Sequence, residues 1–131
     1  MKKAVIILLL VFSATLFAQS EIKITSKKCI SKKGYHLRLK RVFDDSRCPE
    51  NVSCIWAGEV SIEMEVYKDK KIIEEKTLLL NINNSEENIK WLTNYLPKKS
   101  NSIKSITVLP YPKEGQIIKS KNQFVKINYQ D

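Results

Sequence analysis

Val60-Ser-Ile-Glu-Met-Glu-Val66 alternates apolar and polar side chains without a break. A period of two sets Val60, Ile62, Met64 and Val66 on one face and Ser61, Glu63 and Glu65 on the other, the pattern of a strand buried on one side. Downstream, Asp69-Lys70 reads as a turn, and residues 72–81 read as one or two returning strands ending in Leu78-Leu79-Leu80. Upstream, Tyr35, Leu37, Leu39, Arg41 and Phe43 alternate with His36, Arg38 and Lys40, which predicts a strand over 35–43. Residues 105–109 and 124–129 carry the same signature, the latter with Val125, Ile127 and Tyr129 on one face, and a shorter strand is expected at 22–25.

One segment has another period. In Ser85-Glu-Glu-Asn-Ile-Lys-Trp-Leu-Thr-Asn-Tyr-Leu96 the apolar residues Ile89, Leu92 and Leu96 fall at offsets of three and four. Ser85 is placed to cap a helix, Glu86 and Glu87 suit its positive end, and Pro97 stops it. The chain has three glycines and no internal repeat or low-complexity linker. Together these features predict one mostly all-β domain over 19–131, an antiparallel β-sandwich or open barrel of about seven strands with one short helix.

The amino-terminal residues predict export. Lys2 and Lys3 precede an apolar run, Ala4-Val-Ile-Ile-Leu-Leu-Leu-Val-Phe12, and Leu16-Phe17-Ala18 offers a small residue for cleavage. That order is the mark of a signal peptide, here 1–18. The run is too short to span a bilayer, which takes roughly 20 apolar residues. No cysteine follows it to take a lipid anchor, so a periplasmic or secreted chain, not membrane-spanning after cleavage, is expected.

The net charge is +9. Its lysines are scattered, as Lys27-Lys28, Lys32-Lys33, Lys68 with Lys70-Lys71, and Lys98-Lys99. Nucleic-acid binders concentrate Lys and Arg on one element with aromatics interleaved, so no nucleic-acid partner is expected. A solvated basic surface is the plain interpretation. A partner, if charge selects it, is an envelope protein, an acidic surface polymer or anionic lipid head groups.

The chemistry-bearing stretch is 44–58, Asp-Asp-Ser-Arg-Cys-Pro-Glu-Asn-Val-Ser-Cys-Ile-Trp-Ala-Gly. In an oxidising compartment a disulfide is the default fate of Cys48 and Cys54, and closing so short a loop is worth roughly 2 kcal/mol in the chain-entropy model. Pro49 stiffens the loop, Asp45 is placed to pair with Arg47, and Gly58 permits a turn or bulge at the strand entry. Trp56 is expected to cover the bridge and fill the sandwich end. All of this works as architecture without a ligand. A loop held rigid at a sandwich end is equally a good recognition surface, with Asp45, Arg47 and Trp56 as the candidate contacts. Cys29 is the odd cysteine: a small buried hydrophobe, a partner for an external thiol, or a rival for Cys48 or Cys54.

The same stretch resembles the D-S-R-C-P…C-I/V-W-A-G signature of an uncharacterised group of secreted bacterial proteins. Here it stands as Asp45-Ser46-Arg47-Cys48-Pro49 and Cys54-Ile55-Trp56-Ala57-Gly58. The later Ile106-Thr-Val-Leu-Pro-Tyr-Pro112 resembles that group's closing segment, so the likeness spans most of the chain after the leader. It implies a small extracytoplasmic β domain and brings no activity with it. Cys29 and the helical segment 85–96 depart from the group's pattern.

Catalytic motifs are lacking. His36 is the only histidine, and no Gly-x-Ser-x-Gly, His-Glu-x-x-His or Gly-rich phosphate loop is present. Cys29, His36 and Asp44 share no familiar metal-ligand spacing. Asp44-Asp45 and Glu74-Glu75 are neighbours on strands and point to opposite faces, and Glu86-Glu87 belongs to a helix start. No catalysis, cofactor or metal is expected. The function expected is binding through the loop 44–58, with an enzyme inhibitor as the alternative and a glycan-directed hydrolase after it.

Overall fold

The computed structural model describes residues 21–97 and 103–130, so the expected leader at 1–18 lies outside the described residues. Seven strands form: β1 (Glu21–Ile24), β2 (Ile30–Lys32), β3 (Tyr35–Phe43), β4 (Val60–Lys68), β5 (Lys71–Leu80), β6 (Ile103–Leu109) and β7 (Phe124–Tyr129). Helix α1 (Ser85–Thr93) connects β5 to β6, and a 3-10 turn (Ser120–Asn122) precedes β7. The strands build two antiparallel sheets, ordered β1-β7-β6 and β2-β3-β4-β5. They are not closed into a barrel. The molecule is therefore the sandwich of the two architectures expected.

β4 is the spine of the larger sheet. Val60, Ile62, Met64 and Val66 all point into the core, where Leu37 and Leu39 of β3, Leu78 of β5 and Val108, Val125 and Ile127 of the other sheet meet them. Each such side chain contributes about 1.5–3 kcal/mol on full burial. The β4–β5 connection is a two-residue turn with Asp69 (φ 50) and Lys70 (φ 63) both left-handed. Positive φ at both central residues gives the primed turn whose twist suits a hairpin. Lys33 and Gly34 make the same kind of turn between β2 and β3.

β3 departs from its alternation. A bulge between Leu39 and Arg41 inserts Lys40 as an extra residue, so Val42 points inward while Arg41 and Phe43 turn outward. A bulge resets the side-chain period. Arg41 then lies over the Phe43 ring, 4.6 Å from its centroid, on the solvent side. Of the one or two strands expected over 72–81, a single one forms, β5, which ends at Leu80, and β2, three residues long, is too short to show a period in sequence.

One flank of the sandwich is laced shut. Leu39 N–H donates to the Thr25 carbonyl (3.3 Å), and Val42 N–H donates to Ser120 Oγ (2.8 Å). The opposite flank is covered partly by α1 and the turn after it, which sink Leu92 and Leu96 into the core. Asn88, also buried, donates from Nδ2 to the Leu79 carbonyl at 2.8 Å. Trp91 Nε1 (2.8 Å) and Tyr95 Oη (2.5 Å) both donate to Glu74, whose side chain faces the helix while Glu75 faces out. Those bonds from Tyr95 and Trp91 hold the Glu74 carboxyl below its usual range. Burial and the Glu74 carboxylate push the Tyr95 hydroxyl up to about 12.

The helix begins and ends differently from expectation. Ser85 is its first residue and does not cap; Asn84 holds the cap position, with its N–H given to Asn81 Oδ1 at 2.9 Å. The α-helix stops at Thr93, and Tyr95 and Leu96 close one more turn by donating to the Leu92 carbonyl.

Candidate functional site

Asp44, left-handed at φ 49, turns the chain out of β3 into an irregular hairpin that returns at β4. Ser46 N–H donates to the Glu59 carbonyl (2.8 Å) and Cys48 N–H to the Ala57 carbonyl (3.2 Å). Cys48 and Cys54 are bonded, with their Cα atoms 5.9 Å apart, and so close the hairpin tip. Gly58 sits at φ 71 where the two arms touch, and a Cβ there would run into the Ser46 carbonyl. Both the backbone conformation and the close approach require glycine.

Arg47 fastens this hairpin to the other sheet. Its Nε and Nη2 donate to the two oxygens of Asp45 at 2.8 and 2.7 Å, its Nη1 donates to the Val108 carbonyl at 2.7 Å, and its guanidinium stacks 4.5 Å from the Tyr111 ring centroid. Its side chain is only 8% exposed. The planar fork meets one carboxylate in bidentate fashion and still reaches a carbonyl, a geometry lysine does not reproduce. Glu50 N–H to the Pro112 carbonyl (3.1 Å) and Glu114 N–H to Asn51 Oδ1 (3.2 Å) add further ties to the segment after β6. The Asp45–Arg47 pair expected from sequence therefore forms, and it faces inward.

Trp56 is where expectation fails. It does not cover the disulfide or fill the sandwich end: it is 78% exposed, and its neighbour Ile55 is 92% exposed. The inward space is already taken by Arg47 and Tyr111. Cys29 is not a core residue either; it is exposed and unbridged.

The outer face of the larger sheet has a contrasting character. Buried Glu65 accepts from Arg38 Nη2 (2.5 Å) and Tyr67 Oη (2.8 Å). Lys40, thrust out by the bulge, lies 2.9 Å from Glu75, 3.4 Å from Glu63 and 3.9 Å from Glu65, and Arg41 Nε donates to Glu63 at 2.6 Å. Burial raises the Glu65 carboxyl, but the bonds from Arg38 and Tyr67 outweigh it and leave it below its ordinary value. Glu63 is held low chiefly by Arg41. Glu63 and Glu65 of β4 and Glu75 of β5 thus do converge around Lys40, as a glycan hydrolase needs, but basic partners hold Glu63 and Glu65 in the ionised form. Retaining and inverting chemistry alike need one carboxyl kept protonated as the acid.

At the turn end of that face, Cys29, His36, Arg38 and Tyr67 line a shallow depression of about 520 Å³, where Ser31 Oγ and His36 Nδ1 are 2.8 Å apart. Asp44, at the opposite end of β3, does not join them. Among the described residues no group of three or more His, Cys, Asp and Glu side chains is placed to hold a metal.

Sequence reasoning missed a groove of about 450 Å³ on the open flank. Its floor includes Val60, Leu80 and Ile89, one wall is the consecutive run 104–108 of β6, and Ala57 and Gly58 of the hairpin lie at one end. Ile82 stands on its rim, 86% exposed. No sequence signal marks it, because it depends on which strand edge the helix leaves uncovered. Comparisons with protein-family models, curated proteins and solved structures give no match to this chain. Among the described residues no helix is long and apolar enough to cross a membrane.

Proposed function

We propose that this chain is an exported, non-catalytic binding domain, periplasmic or secreted, that holds a protein partner at the tip of the hairpin 44–58. The observation that carries this reading is the exposure of Ile55 and Trp56 side by side on a loop tied by a disulfide and by Arg47. Large apolar side chains left in water gain on burial by a partner, and a loop already ordered loses little entropy in docking. Tryptophan is also the residue type most enriched at interface hot spots. Trp56 is the contact residue in this account, while Asp45 and Arg47 are positioning residues. The low carboxyls of Glu63 and Glu65, held by Arg41, Arg38 and Tyr67, support a non-catalytic role. If the partner is an enzyme whose cleft accepts the tip, the same geometry makes the domain an inhibitor.

The test is partner capture from envelope extract with the oxidised protein and with Trp56→Ala and Arg47→Ala variants, each checked for folding by circular dichroism. A species retained by the parent and lost by folded Trp56→Ala is the expected result. Equal retention by that variant removes the hairpin from the function.

A further inference from the structure

β6 is the edge strand of its sheet, paired with β7 on one side only. In an antiparallel strand each residue directs its N–H and C=O to the same side, and the side alternates along the chain. The Val108 carbonyl taken by Arg47 Nη1 therefore marks the side away from β7. Register between β6 and β7 is regular from Ser105 to Leu109, so Ile106 also directs its backbone N–H and C=O to the open side. Among the described residues neither finds a backbone partner outside the sheet. That edge is the wall of the groove whose floor is Val60, Leu80 and Ile89.

We infer that β6 accepts an extended peptide segment of a partner protein as an added antiparallel strand, with alternate apolar side chains dropping into the groove and a carboxylate beside Lys104. An unpaired edge beside apolar pockets is what strand addition uses: main-chain bonds give affinity, and the pockets for alternate side chains give specificity. Charge selects the occupant. The charged side chains lining the groove are Arg47 and Lys104, both basic. Arg47 is neutralised by Asp45, whereas Lys104 is exposed and makes no ion pair among the described residues. Arg47 also occupies the Val108 carbonyl, so the added strand ends there and its register is fixed. The inference rests on the proposed binding role and names the chemistry of its ligand, with Ile55, Trp56 and Ile82 as neighbouring apolar contacts.

The probe is a synthetic capped hexapeptide, Val-Thr-Val-Thr-Val-Asp, whose last residue an antiparallel register sets beside Lys104, titrated into the isotopically labelled oxidised chain while amide exchange is followed by NMR. Binding with at least tenfold slowing of Ile106 amide exchange is expected, together with loss of binding when the peptide is N-methylated at alternate residues or its Asp is replaced by Lys. Lys104→Glu should reverse that last preference without altering the fold. Equal binding of the N-methylated peptide, binding without protection of Ile106, or no binding at millimolar concentration overturns the inference. So does protection of Ile106 that grows with protein concentration alone, since a second copy would then be the occupant. Loss of envelope partners by Trp56→Ala beside an inert peptide would leave the hairpin reading standing and remove only the edge. Ile106 protection beside unchanged capture by Trp56→Ala would do the reverse.

Discussion

On the outer face of the larger sheet, Arg38, Lys40 and Arg41 meet Glu63, Glu65 and Glu75 across three strands, whereas the hairpin tip holds Ile55 and Trp56 in solvent. The first surface is complete in itself. A partner laid over it would have to strip water from charges already satisfied, for little gain. The second gains from any apolar cover, and its backbone is already fixed by Gly58, Cys48–Cys54 and Arg47. Charge on this protein maintains the sheet, and the proposed recognition site is the exposed apolar area beside an open strand edge.

The sharpest way to break the contrast is Gly58→Ala. It forces a left-handed alanine against the Ser46 carbonyl and should cost on the order of 3 kcal/mol or more, read as a lowered urea midpoint. Arg47→Ala comes next, at about 2 kcal/mol, because it leaves Asp45 and the Val108 carbonyl without their donor. Arg47→Lys should recover less than half of that loss. Glu65→Gln should cost about 1 kcal/mol at neutral pH while leaving capture of partners unchanged. Its carboxyl is depressed in the fold, so its stabilisation is complete above the unfolded value near 4.5 and is lost as pH falls through the lower folded value. The variant should therefore show a shallower fall in stability below pH 4.5 than the parent. Smallest is Trp56→Ala, within about 0.5 kcal/mol of the parent by thermal melting. A large loss of stability there would mean the indole is structural and the contrast false.

Much of the fold was legible because periodicity reports burial directly. Val60, Ile62, Met64 and Val66 face the core as their alternation predicts, although Ser61 and Glu65 between them are buried too, and Asp69-Lys70 announced a turn that the chain makes. The bulge at Lys40 was not legible: Arg41 and Phe43 continue the written alternation while their side chains have changed face. The ion-pair hub depends on that one inserted residue, so it too was hidden. At the candidate site, the residue types were readable and their directions were not. Asp45–Arg47 was foreseen as a pair, but its inward course depends on a carbonyl 61 residues away. That placement is what leaves Trp56 outside. The groove along β6 depends on sheet order, which local pattern does not encode.

The most direct measurement is site-specific photocrosslinking in cells that produce the protein, with benzoylphenylalanine placed in turn at Trp56 on the hairpin and at Thr77 on the outer face of β5. The account predicts a discrete partner adduct from position 56 and none from position 77. Adducts from position 77 alone would contradict it and place recognition on the charged face.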